Sequence, residues 1–223
     1  MHRHPEWNIV GALAALIALA APSAACAGEY SLTRLGTAAT TGYAINARGE
    51  VTGDWLTAND MDRAFLYNPG RGMIDLGTLG GATSIGYAIN ARGQVTGVSV
   101  TAKGLARAFL YTPGQGMIDL GTLGGATSTG YAIDARGQVT GESVTAGGVT
   151  HGFLYTDGKI LDLNALIDRR TAAHVMLISG RGINDDGWIV ARGTDSRSGE
   201  MHTYILSRPA KCIKFRPPLH RRL

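Results

Sequence analysis

The chain repeats itself. Gly42-Tyr43-Ala44-Ile45-Asn46 returns as Gly86-Tyr87-Ala88-Ile89-Asn90 and as Gly130-Tyr131-Ala132-Ile133-Asp134, both at a step of 44 residues, and Phe65, Phe109 and Phe153 keep that step. Between Arg63–Gly97 and Arg107–Gly141 only four of 35 positions differ, Asn68/Thr112, Arg71/Gln115, Ile85/Thr129 and Asn90/Asp134. A fourth, more diverged unit begins at Gly182-Ile183-Asn184 and ends near Leu206, set back to a step of 50 by an insertion around Leu166–Ser179. A period of this length means one supersecondary unit stacked on copies of itself, because such a unit cannot bury its apolar face alone.

Each unit resolves into short apolar runs separated by turn residues. In the second, Tyr87-Ala88-Ile89 and Gln94–Gly97 flank Asn90-Ala91-Arg92-Gly93, while Ala108–Tyr111 and Met117–Leu120 flank Thr112-Pro113-Gly114-Gln115-Gly116. These are two hairpins, hence four strands, and the 32 glycines against 7 prolines serve their turns. The spacing predicts an all-β, propeller-like array of four repeats of 44 residues, four-stranded, across residues 28–207. The fourth repeat shows only three strand candidates. Tyr30–Thr37 matches the last strand of a unit, Met73–Thr78, so it is placed to complete the fourth blade and close a four-bladed ring. An open or dimer-completed array and a β-solenoid satisfy the same pattern. One short helix is expected near Leu163–Arg169, from the spacing of Leu163, Leu166 and Ile167, with Asn164 as its cap.

The first 27 residues read as a secretory signal peptide, with an apolar stretch from Ile9 to Ala21 and Ala25-Cys26-Ala27 as the small-residue cleavage site. That stretch is shorter than the roughly 20 residues of a membrane-spanning helix, so no stable span is expected after cleavage. Lipidation at Cys26 is the competing processing, opposed by Ser23 where a lipoprotein signal usually carries Leu. The exported chain then retains Cys212 alone, a spare thiol rather than an internal disulfide. Arg208, Lys211, Lys214, Arg216, Arg221 and Arg222 make residues 208–223 a basic tail; they outweigh the formal net charge of +4, leaving the preceding chain mildly acidic. Such a balance argues against nucleic-acid binding.

Several recurring residues invite chemistry. Asp75, Asp119 and Asp162 return in one strand and would supply a ring of carboxylates, but their alternation with Ile and Leu points them away from the apolar side of the blade. Asn46, Asn90, Asp134 and Asn184 open the first hairpin turn and Gly49, Gly93, Gly137 and Gly187 close it, a spacing that turn formation explains without calcium. Gly77–Gly81 and Gly121–Gly125 lack the Lys-Ser/Thr ending of a phosphate loop and read as inter-blade links. The series Tyr43, Tyr87, Tyr131 and Phe65, Phe109, Phe153 are both assigned to inter-blade core rather than to sugar stacking. His151, His174 and His202 show no zinc spacing, and no nucleophile elbow occurs. No catalytic, cofactor or metal set is assigned, and the ligand-binding residues stay unassigned. The insertion, with Arg169, Arg170 and His174, is the place most open to a unique role.

The text Arg-Ala-Phe-Leu-Tyr, Met-Ile-Asp-Leu-Gly-Thr-Leu-Gly-Gly and Gly-Tyr-Ala-Ile-Asn-Ala-Arg-Gly-Gln-Val-Thr-Gly resembles the HAF repeat family of extracellular bacterial repeat proteins, over nearly all of the mature chain. The naming tripeptide varies here, as Arg63-Ala64-Phe65, Arg107-Ala108-Phe109, His151-Gly152-Phe153 and His202-Thr203-Tyr204. The resemblance implies an exported repeat protein and no mechanism. The expectation is a secreted, non-enzymatic binding or scaffold module, monomer or dimer, for extracellular polysaccharide or protein. A carbohydrate-active hydrolase is the alternative.

Overall fold

The computed structural model describes residues 30–36 and 39–207, and its repeat region is four antiparallel sheets, each a simple meander. The first sheet holds β1 (Thr40–Ile45), β2 (Val51–Leu56), β3 (Asp62–Asn68) and β4 (Gly72–Asp75). The second holds β5 (Gly80–Ile89), β6 (Val95–Thr101), β7 (Ala106–Thr112) and β8 (Gly116–Asp119). The third holds β9 (Gly124–Ile133), β10 (Val139–Thr145), β11 (Thr150–Thr156) and β12 (Lys159–Asp162). The fourth has three strands, β13 (Val175–Ile183), β14 (Ile189–Asp195) and β15 (Glu200–Leu206).

Two expectations need correction. Tyr30–Leu35 forms no strand, and Tyr30 and Leu32 are fully exposed. A strand exists only where its N–H and C=O groups find a ladder, and this segment has none. The helix near Leu163–Arg169 is broken in two by a pair of aspartates. Asp162 accepts from Asn164 N and starts a 3₁₀ turn at Leu163–Ala165, while Asp168 accepts from Arg170 N and Thr171 N and starts α1 (Arg169–Ala172). Asn164 is no cap. Its amide donates to Leu177 O at 2.9 Å and accepts from Leu177 N at 2.7 Å, tying the insertion to β13. The leader and the basic tail lie outside the described residues.

The sheets pack in chain order through their first strands. β5 lies on β2 and β3, β9 on β6 and β7, and β13 on β10 and β11, while the first strands β1, β5, β9 and β13 touch in succession. No packing of that extent joins the fourth sheet to the first among the described residues. The apolar core therefore sits between sheets. Ala64, Leu66 and Leu76 of the first meet Val95 and Phe109 of the second; Ala108, Leu110 and Leu120 meet Val139 and Phe153; Leu154 and Leu163 meet Val175, Leu177, Ile189 and Ala191. Each fully buried Phe contributes roughly 2–3 kcal/mol to its slab.

Polar fasteners recur with the slabs. Thr52, Thr96 and Thr140 donate to Phe65 O, Phe109 O and Phe153 O at 2.7 Å, and the same hydroxyls face Gly86, Gly130 and Gly180 of the next sheet. A Cβ at Gly130 would overlap Thr96 Oγ1, so glycine there sets the spacing between sheets. Ser84 and Ser128 accept from Ala64 N and Ala108 N, residues of the preceding sheet, at 3.0 Å. The turn residues add a third fastener. Asn90 Oδ1 accepts from Arg92 N and Gln94 N, shaping the turn that Gly93 closes at φ +74°. Its amide then reaches across to the next sheet and donates to Asp134 O at 2.9 Å, as Asn46 does to Asn90 O at 3.0 Å. Asp134 has no amide to give, and the following rung is inverted: Ala135 N donates to Asp185 Oδ1 at 2.8 Å.

Gly130→Ala should lower stability by about 1–3 kcal/mol through overpacking. Asn90→Asp keeps the turn acceptor and removes the amide donor that serves both Asp134 O and Gln94 Oε1, at a cost of about 1–2 kcal/mol. Urea midpoints of the two variants, read by far-UV circular dichroism, check both values.

Candidate functional site

Tyr43, Tyr87, Tyr131 and Arg181 occupy one register position on the four first strands, and at each of them the pairing skips a residue. Gly42 pairs Gly53 and Ala44 pairs Thr52, passing over Tyr43; the same jump passes over Tyr87, Tyr131 and Arg181. Each is thus the extra residue of a β-bulge, and a bulge turns its side chain away from the regular alternation. The result is a row. Tyr43 and Tyr87 meet edge to face at 5.6 Å between ring centres, Tyr87 and Tyr131 lie tilted at 6.1 Å, and the Arg181 guanidinium stands 4.2 Å over the Tyr131 ring.

Strands β2 and β10 supply carboxylates to the row. Asp54 stands near Tyr43 and Glu142 near Tyr131, each close enough to act on the phenol, and Glu142 has Arg181 at 4.0 Å. Asp54 Oδ1 is buried and has no partner among the described residues. Burial, and after it Asp62, raises the Asp54 carboxyl above its ordinary value against the lowering effect of Tyr43. Burial, with Glu142 second, pushes Tyr131 up to about 12, and Tyr43 and Tyr87 are raised as well, chiefly by burial. All three phenols therefore stay protonated through the physiological range and present an aromatic face together with an O–H donor. Tyr43 is half exposed and the other two are partly so.

The two aromatic series expected in the core separate here. Phe65, Phe109 and Phe153 are fully buried, as expected, whereas the tyrosines line a partly solvated surface because the bulge takes them out of the slab. Asp54, Glu142 and Arg181 were not singled out in the sequence. The signal for Asp54 and Glu142 lies in positions 54, 98, 142 and 192, where Asp, Val, Glu and Arg replace one another, and that for Arg181 in its place at the tyrosine position of the fourth repeat.

The recurring aspartates do not converge. Asp75 Oδ1 accepts from Gly77 N, Asp119 Oδ1 from Gly121 N, and Asp162 Oδ1 from Asn164 N, each holding the turn after the last strand of a separate sheet. Asp162 alone has a further side-chain partner of opposite type, His151, with Nδ1 at 2.6 Å from Oδ2. His202 lies 3.7 Å from Glu200, and His174 ends the α1 turn through its backbone. Gly80 and Gly81 open β5, where a Cβ on Gly81 would press on Val100 O and Thr101 O, a close backbone approach in the link. Among the described residues no group of three or more His, Cys, Asp or Glu stands together as a metal ion would need.

The fold and this row define the chain as an array of repeated antiparallel sheets carrying a bulge-borne aromatic strip. Comparison with models of known protein families and with curated proteins gives no match.

A pH titration reads the row directly. Because the folded-state pKa of Tyr131 exceeds the ordinary 10.0, the unfolded chain loses that proton first, and stability falls as pH rises from about 10 to about 12. Glu142→Gln removes the carboxylate contribution, so the 295 nm absorbance step of Tyr131 should move to lower pH.

Proposed function

We propose that this protein is an exported, non-enzymatic binding module for an extracellular polysaccharide, with the sheets acting as blades of a propeller-like array. The row of Tyr43, Tyr87, Tyr131 and Arg181 on successive bulges carries this reading. Pyranose rings offer apolar C–H faces and dense hydroxyls. Partly exposed phenol rings at intervals of 5.6 and 6.1 Å meet the first, and Asp54, Glu142 and the guanidinium meet the second. The leader-like N-terminus and the resemblance to HAF repeat proteins support an extracellular address. Among the described residues no helix is long and apolar enough to cross a membrane. The hydrolase alternative loses its most direct support, since Asp75, Asp119 and Asp162 each serve a turn in a different sheet.

Affinity electrophoresis through gels containing neutral glucans or uronate-bearing polysaccharides tests the proposal. Wild-type protein should be retarded by at least one of them, and Tyr87→Ala should weaken that retention about tenfold, the scale of one lost aromatic anchor. Retention by none rejects the reading, and release of reducing ends from the gel polymer replaces it with hydrolysis.

A further inference from the structure

The inter-sheet interface is built three times inside the chain, and each end of the array is left holding one half of it. On the last face of the fourth sheet, Ile205 stands where Leu66, Leu110 and Leu154 stand in the others, yet it is 67% exposed against 3%, 9% and 7%. Val190 replaces the buried Thr52, Thr96 and Thr140 and is 40% exposed. On the opposite end, Gly42 is exposed where Gly86 and Gly130 are buried, and Ile45 is 69% exposed. Beside the first-sheet Phe65, a cavity of about 320 Å³ opens between Trp55, Met73 and Ile74, bordered by Gly36 of the same chain.

The polar fasteners are split in the same way. Asn46 and Asn90 each give their amide to the carbonyl of the next turn; Asn184 keeps the same amide, with no acceptor among the described residues. Among the described residues Asn46 O accepts only from Gly49 N, whereas Asn90 O takes both its own turn and the rung from Asn46. The fourth sheet also lacks, among the described residues, the strand that β4, β8 and β12 provide elsewhere. Tyr30–Leu35 aligns with that strand through Leu35 at the place of Leu76, forms none by itself, and precedes the first sheet in sequence. A half-interface with its own complement at the other end of the molecule is what a head-to-tail contact requires, and such a contact closes when the rotation permits.

We infer that a second copy of this chain completes the array, its Tyr30–Leu35 pairing with β15 as the fourth strand and its first sheet packing on Ile205 and Val190. Two copies exchanging this contact make one ring of their combined sheets, at the upper end of the range of about four to eight blades that propellers adopt. Main-chain pairing along an open edge supplies the attachment, and the apolar slab supplies the area. The register follows from Leu66 opposite Ile74: with Leu35 at the place of Leu76, Thr33 of one copy lies opposite Ile205 of the other.

The test places one cysteine at each position, Thr33→Cys and Ile205→Cys, both at exposed sites, in a chain with Cys26 and Cys212 changed to Ser. Mild oxidation should give a covalent dimer on non-reducing gels, and light scattering of the wild-type chain should give twice the monomer mass. Ile205→Lys should halve that mass while leaving the circular dichroism spectrum unchanged. A crosslink confined to the monomer would mean that the chain closes on itself and would overturn the inference, as would absence of any crosslink. A ladder of higher oligomers would overturn the two-copy ring.

Discussion

The close approach of each first strand to the second strand of the preceding sheet governs everything else in this molecule. Thr96 Oγ1 sits against Gly130, and within its own sheet the carbonyl of Ile85 points at the Cα of Gly97, where any Cβ would overlap it. Glycine is needed on both sides of the bulge for two different neighbours. With both in place the sheets approach closely enough to share slabs of Phe, Leu and Val, and the serine and asparagine cross-links come within reach. The same local geometry expels Tyr43, Tyr87 and Tyr131 from the slab. The candidate binding surface is thus a by-product of the packing, produced again at each repetition, so it needs no dedicated loop.

Differences between the near-identical repeats are answered locally. Asn68 donates to the Glu50 carboxylate at 2.8 Å; in the next repeat Thr112 stands there and accepts from Gln94 at 3.0 Å. Burial by itself would raise Glu50, but the Asn46, Arg48 and Asn68 donors outweigh it and hold the carboxyl below its usual value. Ile85 is opposite Val98, and where Thr129 replaces that Ile, Glu142 replaces the Val, so apolar faces apolar and polar faces polar across the strands. Nothing in the structure explains Arg71/Gln115. Trp55, at the position of Ser99 and Ser143, marks the first sheet as a terminus. Those serines accept from the links at Leu79 N and Leu123 N, a role that requires a preceding sheet, and the first sheet instead carries a large ring beside Phe65.

Period, turn chemistry and strand order were legible because each is a local property read from one repeat and checked against the others. The Phe series was legible as core for the same reason. The tyrosines were not, because Gly-Tyr-Ala-Ile reads as plain alternation and a bulge leaves no mark in the spacing of apolar residues. Asp54, Glu142 and Arg181 escaped notice because a search for recurrence discards positions that vary, and it is at those positions that the row acquires its charges. The expected helix failed on a competition that spacing cannot show: Asp162 and Asp168 cap sooner than the apolar pattern allows for, and Asn164 is spent on Leu177.

Because the core is divided into slabs that lie one after another along the chain, a pull applied across the repeat region passes through them in series. Among the described residues no contact of comparable size ties the first sheet to the fourth and shares the load. Each slab that gave way would release one repeat's length of chain while leaving its neighbours folded. The molecule would then lengthen in discrete steps under tension and recover by restacking.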